Sequence, residues 1–136
     1  MKRATVTAEK RKKTTADAIA RGQETARKAE DARIAKEERQ RRAEEAKAEA
    51  IIAQIPDRAE RESEQGRNHA IVMSVKYEDY TRPHGATDWR VCQGDWLKGV
   101  AKLVFEFCVE ANLKPTLEDW HDGVGMNSGH NIVIHW

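Results

Sequence analysis

The first half of this sequence has almost no side chains from which a hydrophobic core could be built. Residues 1–68 contain no Trp, Tyr, Phe, Leu, Cys or His, whereas all four Trp and all five His lie from His69 onward. The first half therefore cannot close a core by itself, and the second half can. A domain of about 70 residues buries only about 60% of its unfolded surface, so we expect the helix before it to contribute.

Long apolar runs are also missing. None approaches the roughly 18–20 residues that span a bilayer, and the first residues lack the apolar segment of a secretory signal. The two cysteines, Cys92 in a predicted loop and Cys108 in a predicted helix, are too few for a disulfide framework. These absences favour a cytoplasmic protein without membrane contact, and no pattern in the sequence indicates a cofactor.

Charge of one sign is not in large excess. The net charge is +1, with 18 basic against 14 acidic residues in 1–68 and 6 against 9 in 69–136. This imbalance is too mild to indicate nucleic acid. A dense basic cluster could nevertheless contact nucleic acid or another anionic surface, although a solvated helix end is the commoner outcome. It consists of Lys10, Arg11, Lys12 and Lys13.

Residues 8–50 consist mainly of Ala, Glu, Lys, Arg and Gln, which are strong helix formers. Opposite charges recur four residues apart, as in Glu24/Lys28, Arg33/Glu37 and Arg41/Glu45. An apolar heptad seam, which a two-stranded coiled coil needs, is missing. We therefore predict that residues 1–45 form a charged helical arm with a coiled-coil-like composition. Partial disorder and weak Ala-rich self-association are the alternatives, and the oligomeric state is not predicted.

The character of the chain changes near residue 46. Ile51, Ile52, Ile55 and Ala59 follow one another at helical spacing, which predicts an apolar stripe on one face. Gly66 is a natural stop signal for that helix. We therefore predict that the helical segment 46–65 docks on the following domain and belongs to it, so that the domain spans 46–136.

The rest of the chain predicts alternating elements. Residues 70–78 have the period-two pattern of a half-buried strand, with Ile71, Met73, Val75 and Tyr77 on one side. A long loop over 80–94, a helix from Asp95 to about Asn112 and a hairpin of two strands follow. This α–β–α–β–β order predicts an α+β fold with a mixed three-stranded sheet, helices on one face and the last strand at the centre.

The predicted hairpin gathers residues that could bind a metal: His121, Asp122, His130 and His135. Imidazole and carboxylate groups suit zinc or another transition metal. Their spacing matches no known metal motif, however, and strand alternation separates His121 from Asp122. Polar positions on an exposed sheet face explain these residues equally well. A metal-dependent enzyme on the hairpin is therefore an alternative rather than the leading hypothesis.

Aromatic and basic residues of the loop and hairpin indicate a binding surface. Exposed Trp beside Arg is typical of protein–protein hot spots, and the same pair can stack on single-stranded bases. The residues concerned are Arg82, His84, Trp89, Arg90 and Trp120. The alternative is that the Trp side chains fold back over a thin core. Because acidic residues surround them, we expect an unidentified protein partner rather than nucleic acid. The leading hypothesis is a non-enzymatic protein-interaction or adaptor module.

Overall fold

The computed structural model describes residues 2–123 and 128–136, with side chains from residue 7 onward. It divides into two units, residues 1–40 and 41–136. Helix α1 (Lys2–Ala53) is continuous, and every residue from 7 to 43 is exposed. The predicted long charged helix is thus confirmed, and the structure shows helix where disorder was the alternative.

Ion pairs between residues three or four positions apart occur along α1, as its sequence predicts. Arg33 binds Glu30 on one side and Glu37 on the other, with 2.6 Å between its Nη1 and the Glu37 carboxylate. The hydrogen bonds from Arg33 lower the pKa of the Glu30 carboxyl below its ordinary value. Exposed pairs of this kind add only a few tenths of a kcal/mol each. The helix therefore depends on many such pairs and on Ala-rich propensity rather than on burial.

The predicted docking segment consists of two helices. The helical structure is interrupted at Gln54, which separates α1 from α2 (Ile55–Glu64). Helix α2 has a Pro in its first turn. Proline suits that position because its missing N–H has no partner there anyway. Ala48 and Ile55 are buried in the core of the second unit, with Ile51 and Ile52 packed against it.

The sheet contains three described strands: β1 (His69–Val75), β2 (Thr116–His121) and β3 (Ser128–His135). Their order is β1-β3-β2, so the last strand lies at the centre as predicted. Both pairings are antiparallel, which makes the prediction of a mixed sheet wrong. β1 and β2 do run in the same direction, but β3 separates them and they never pair.

A β-bulge decides which residues of β1 face the core. The register with β3 shifts between Ile71 and Met73. The extra residue breaks strict alternation, so Ala70, Val72 and Val75 are buried whereas Ile71 is 50% exposed. The prediction that Ile71 shares a face with Val75 and Tyr77 is therefore wrong. Tyr77 lies beyond the strand in a 3₁₀ turn and is 87% exposed.

Helix α3 (Gly99–Glu110) begins later than predicted. Asp95 lies in a separate 3₁₀ turn, Gly94–Trp96, and does not cap the helix. Ala101, Val104 and Cys108 of α3 are fully buried in the core with Ile132 and Ile134 of β3. No described helix is long and apolar enough to cross a membrane.

Strand alternation gives the sheet two different faces. The covered face carries Val72, Val75 and Ile132, which belong to the core, and also Asp119 and His130, which pair across β2 and β3. The open face carries mostly exposed or half-buried residues: Ile71, Ser74, Thr116, Glu118, Trp120, Asn131 and His135. Among the described residues of this face, Val133 at its centre is the only one that is fully buried. Antiparallel sheets commonly leave one face to solvent in this way.

Candidate functional site

The long loop over 80–94 is closed at its base by backbone pairing. Tyr80 forms an antiparallel bridge with Leu97, and the amide of Thr81 donates to the carbonyl of Trp96 at 2.9 Å. The amide of Lys98 donates to the carbonyl of Asp79 at 2.8 Å. Since its two ends are joined, the loop is a compact excursion of the kind that often carries binding residues.

His130 is the buried centre of the site. It is 1% exposed on the covered face, and its ring and that of Tyr80 form a T-shaped pair with a centroid distance of 5.7 Å. Burial lowers its pKa below the ordinary value, and the positive charge of Arg82 adds to this effect. The Asp119 carboxylate and a hydrogen bond to the backbone of Trp89 oppose it. The net effect is a lowered pKa, and the His130 ring packs between the loop and the sheet.

Arg82 fastens the loop from its other side. Its guanidinium lies over the Tyr80 ring at 5.9 Å, and Nη2 donates to the carbonyl of Val91 at 3.4 Å. Within the described residues, Arg82 Nε and His130 Nδ1 are buried without a hydrogen-bond partner. Burial raises the pKa of the adjacent Cys92 thiol, and the charge of Arg82 partly offsets this. The cluster thus supports the loop, with Arg82 as its charged member.

Trp89 lies in the loop that the cluster of Tyr80, Arg82 and His130 supports, and its side chain is 40% exposed. The His121 ring packs edge-on against it at 6.0 Å, and the Arg90 guanidinium lies over it at 5.4 Å. The Asp88 carboxylate accepts a hydrogen bond from the Arg90 amide at 3.0 Å, which fixes the turn. Val91 beside it is 42% exposed. We refer to Trp89, Arg90, Val91 and His121 as the Trp89 surface.

The structure brings together only part of the predicted partner-binding set. Arg82, Trp89 and Arg90 lie in one loop region, and Arg82 supports it from below. His84 is exposed at a turn within the same loop. Trp120 pairs with Gly129 on the open face, and so lies on the opposite side of the sheet from His121. Trp89 and Trp120 therefore do not lie on one common surface.

The predicted metal ligands are also divided. His121 and His130 are on the covered face, whereas His135 is on the open face, where its Nε2 lies 3.0 Å from the Thr116 hydroxyl. Asp122 follows the end of β2. Among residues 2–123 and 128–136, no group of three or more His, Cys, Asp or Glu could hold a metal ion. Residues 124–127, between the two strands of the predicted hairpin, lie outside the described residues.

Sequence reasoning missed the roles of Tyr80 and His130 in supporting the loop. The signal for His130 was present, because it lies at even spacing from Ile132 and Ile134 and so shares their buried face. No local pattern indicates that Tyr80 reaches the same place, since that contact depends on the path of the loop. No protein-family model matches the chain, and neither a curated protein nor a solved structure matches it significantly.

Proposed function

We propose that this protein is a non-enzymatic protein-interaction module that binds a protein partner through the Trp89 surface. The observation that carries the proposal is an indole that is 40% exposed although two neighbouring side chains hold it in place. Aromatic anchors that are already ordered lose little entropy on binding, and Trp and Arg are enriched at interface hot spots. The buried cluster beneath gives this surface a rigid base.

The surroundings of Trp89 favour a protein over a nucleic acid. Asp88 precedes Trp89 and Asp119 lies near His130, so phosphates would meet carboxylates. The region also lacks support for nucleophilic catalysis. A catalytic cysteine needs a lowered pKa, whereas burial raises that of Cys92.

The decisive experiment compares two tryptophans. Trp89→Ala removes the proposed anchor, whereas Trp136→Ala removes an indole of similar exposure, 42%, at the opposite end of β3. Cross-linking of the tagged full chain in cells should yield a partner that is lost with Trp89→Ala and kept with Trp136→Ala. With the purified partner, Trp89→Ala should weaken binding by about 2 kcal/mol, roughly thirtyfold. Equal capture by both variants would contradict the proposal.

A second candidate function is nucleic-acid binding through the arm. Lys10, Arg11, Lys12 and Lys13 are all exposed on α1, and residues 1–40 carry 12 basic against 7 acidic residues. Binding of this kind weakens steeply with salt because counterions are released. Replacing the four basic residues by Gln should abolish retention on a duplex DNA probe, and deleting residues 1–13 should have the same effect. Binding that resists salt would contradict this candidate.

We also propose that the protein acts in the cytoplasm. Cys92 and Cys108 are both free thiols, as expected in a reducing compartment. Fractionation of cells that express the untagged chain tests this placement, and recovery from an oxidising compartment or from membranes would contradict it.

A further inference from the structure

Because β3 is central, β1 and β2 are the two edge strands of the sheet. Their outer sides differ in how well they are covered. The outer side of β1 is protected. Arg58 of α2 donates from Nη1 to the carbonyl of Ile71 at 3.0 Å, and the bulge between Ile71 and Met73 distorts the strand there. Covering groups and bulges are the usual means by which proteins prevent unwanted pairing at an edge.

The outer side of β2 has neither protection. Six consecutive residues, Thr116–His121, pair with β3 without a shift in register. In an antiparallel edge strand, every second residue points its N–H and C=O away from the neighbouring strand. Within the described part of the chain, no backbone hydrogen bond from outside the sheet reaches these residues, and all but Leu117 are exposed. The edge is therefore a regular template for one more strand.

The side chains of β2 select the occupant by charge. Glu118 projects on the open face, where it lines a cavity together with Arg58 and Arg61, and Asp119 projects on the covered face; neither carboxylate forms a direct ion pair within the described residues. In an antiparallel dimer of β2 with its own copy, centred on Glu118 or on Asp119, that carboxylate would lie opposite the same residue of the other copy. Like charges directly opposite destabilise a strand pair. A second copy is therefore disfavoured, and a strand with basic residues is favoured.

Trp120 adds an aromatic contact on the open face. It follows Glu118 by two residues and so projects on the same side of β2. Its indole lies over Gly129 of β3, so closely that a Cβ on Gly129 would be 3.0 Å from the indole Nε1. The ring is still 39% exposed. A Lys or Arg side chain beside it could therefore meet the Glu118 carboxylate and the ring face together.

We propose that the outer edge of β2 binds an extended basic peptide segment of a partner protein by strand addition. Its backbone pairs with β2, one basic side chain contacts Glu118 and Trp120, and the next contacts Asp119 on the other face. Strand addition takes affinity from main-chain hydrogen bonds and specificity from alternate side chains. This edge shares His121 with the Trp89 surface, but its proposed side-chain contacts are to Glu118, Asp119 and Trp120, so the two proposals can fail independently.

The test is an NMR titration of the full chain with a short Thr/Val peptide that has a central Lys-Arg pair. Amide shifts should concentrate on residues 116–121, and the outward-facing amides among them should exchange more slowly. A peptide with Glu-Glu at the centre, and a Lys-Arg peptide N-methylated at alternate amides, should each bind at least about tenfold more weakly, because they lack the charge contacts and the backbone donors respectively.

Protein variants separate this edge from general electrostatics. Glu118→Lys with Asp119→Lys should weaken the Lys-Arg peptide at least about tenfold. Glu106→Lys with Glu110→Lys, the same charge change on exposed positions of α3, should leave binding within about twofold. Unchanged amide shifts at 132–134 verify the fold, and Trp89→Ala should not affect this binding. The proposal is overturned if the N-methylated or acidic peptide binds equally well, or if millimolar Lys-Arg peptide leaves the β2 amides unshifted.

Discussion

The ring of Phe105 packs directly on the backbone of Gly94. A Cβ placed on Gly94 would lie 2.5 Å from Cε1 of Phe105 and 2.7 Å from its Cζ. This contact joins the end of the 80–94 loop to α3, and Phe105 in turn packs against the core. The end of the loop can pack this closely on α3 because Gly94 has no side chain.

Gly94→Ala should destabilise the protein by about 1–3 kcal/mol, because the added methyl group overpacks the Phe105 ring. Urea unfolding followed by tryptophan fluorescence measures the effect. Gly22→Ala is the matched control, since nothing lies within 4 Å of its Cβ position on α1. It should increase helix content by circular dichroism, because Ala has the higher helix propensity. An unchanged unfolding midpoint for Gly94→Ala would show that the ring moves aside freely.

The buried His130 should make stability depend on pH. Burial and Arg82 lower its folded-state pKa below the ordinary 6.5, so the unfolded chain binds a proton there more readily. The free energy of unfolding should therefore fall as the pH drops below 6.5, and His130 should have no such effect above that pH. His130→Gln should lose most of this slope, whereas the exposed His84→Gln should retain it. Urea unfolding midpoints measured from above pH 6.5 to below it test the prediction. If the midpoints of the two variants depend on pH to the same extent, His130 is not the cause of the pH dependence.

Arg58 should matter for stability more than its neighbour Arg61. Both are exposed on α2, but only Arg58 makes a described hydrogen bond to the sheet, to the carbonyl of Ile71. Arg58→Ala should cost about 1 kcal/mol and accelerate exchange of amides in β1, because a donor to the strand edge is lost. Arg61→Ala should change unfolding by less than about 0.5 kcal/mol. If both variants unfold alike, the contact contributes nothing measurable.

Truncation should show where the domain begins. Deleting residues 1–40 removes only exposed positions among those whose side chains are described, so the unfolding free energy should change by about 0.5 kcal/mol or less. Deleting residues 1–54 also removes Ala48, Ile51 and Ile52, which pack in the core. That variant should lose about 2–4 kcal/mol, as expected for missing core side chains. A large loss on the shorter deletion would place part of the folding unit before residue 41.

Several outcomes depended on contacts that local patterns do not contain. The period-two pattern of residues 70–78 predicted a strand, but it could not predict the bulge after Ile71, which arises from pairing with β3. Asp95 was predicted to begin the helix, yet it lies in the Gly94–Trp96 turn, which precedes α3. The Trp residues of the loop and hairpin suggested one surface, but strand alternation places Trp120 on the open face and His121, which contacts Trp89, on the covered face.

The amino-acid sequence alone determined that residues 8–50 form a charged helix and that the core lies in the second half, because propensity and the supply of apolar side chains are local properties. It also determined the order of the elements, whereas the central position of the last strand was settled by the tertiary structure. Only the tertiary structure decided that His130 is buried beneath the loop with a lowered pKa and that β2 has a free edge. Both facts follow from which segments meet across the sheet, and residues distant in sequence set those contacts.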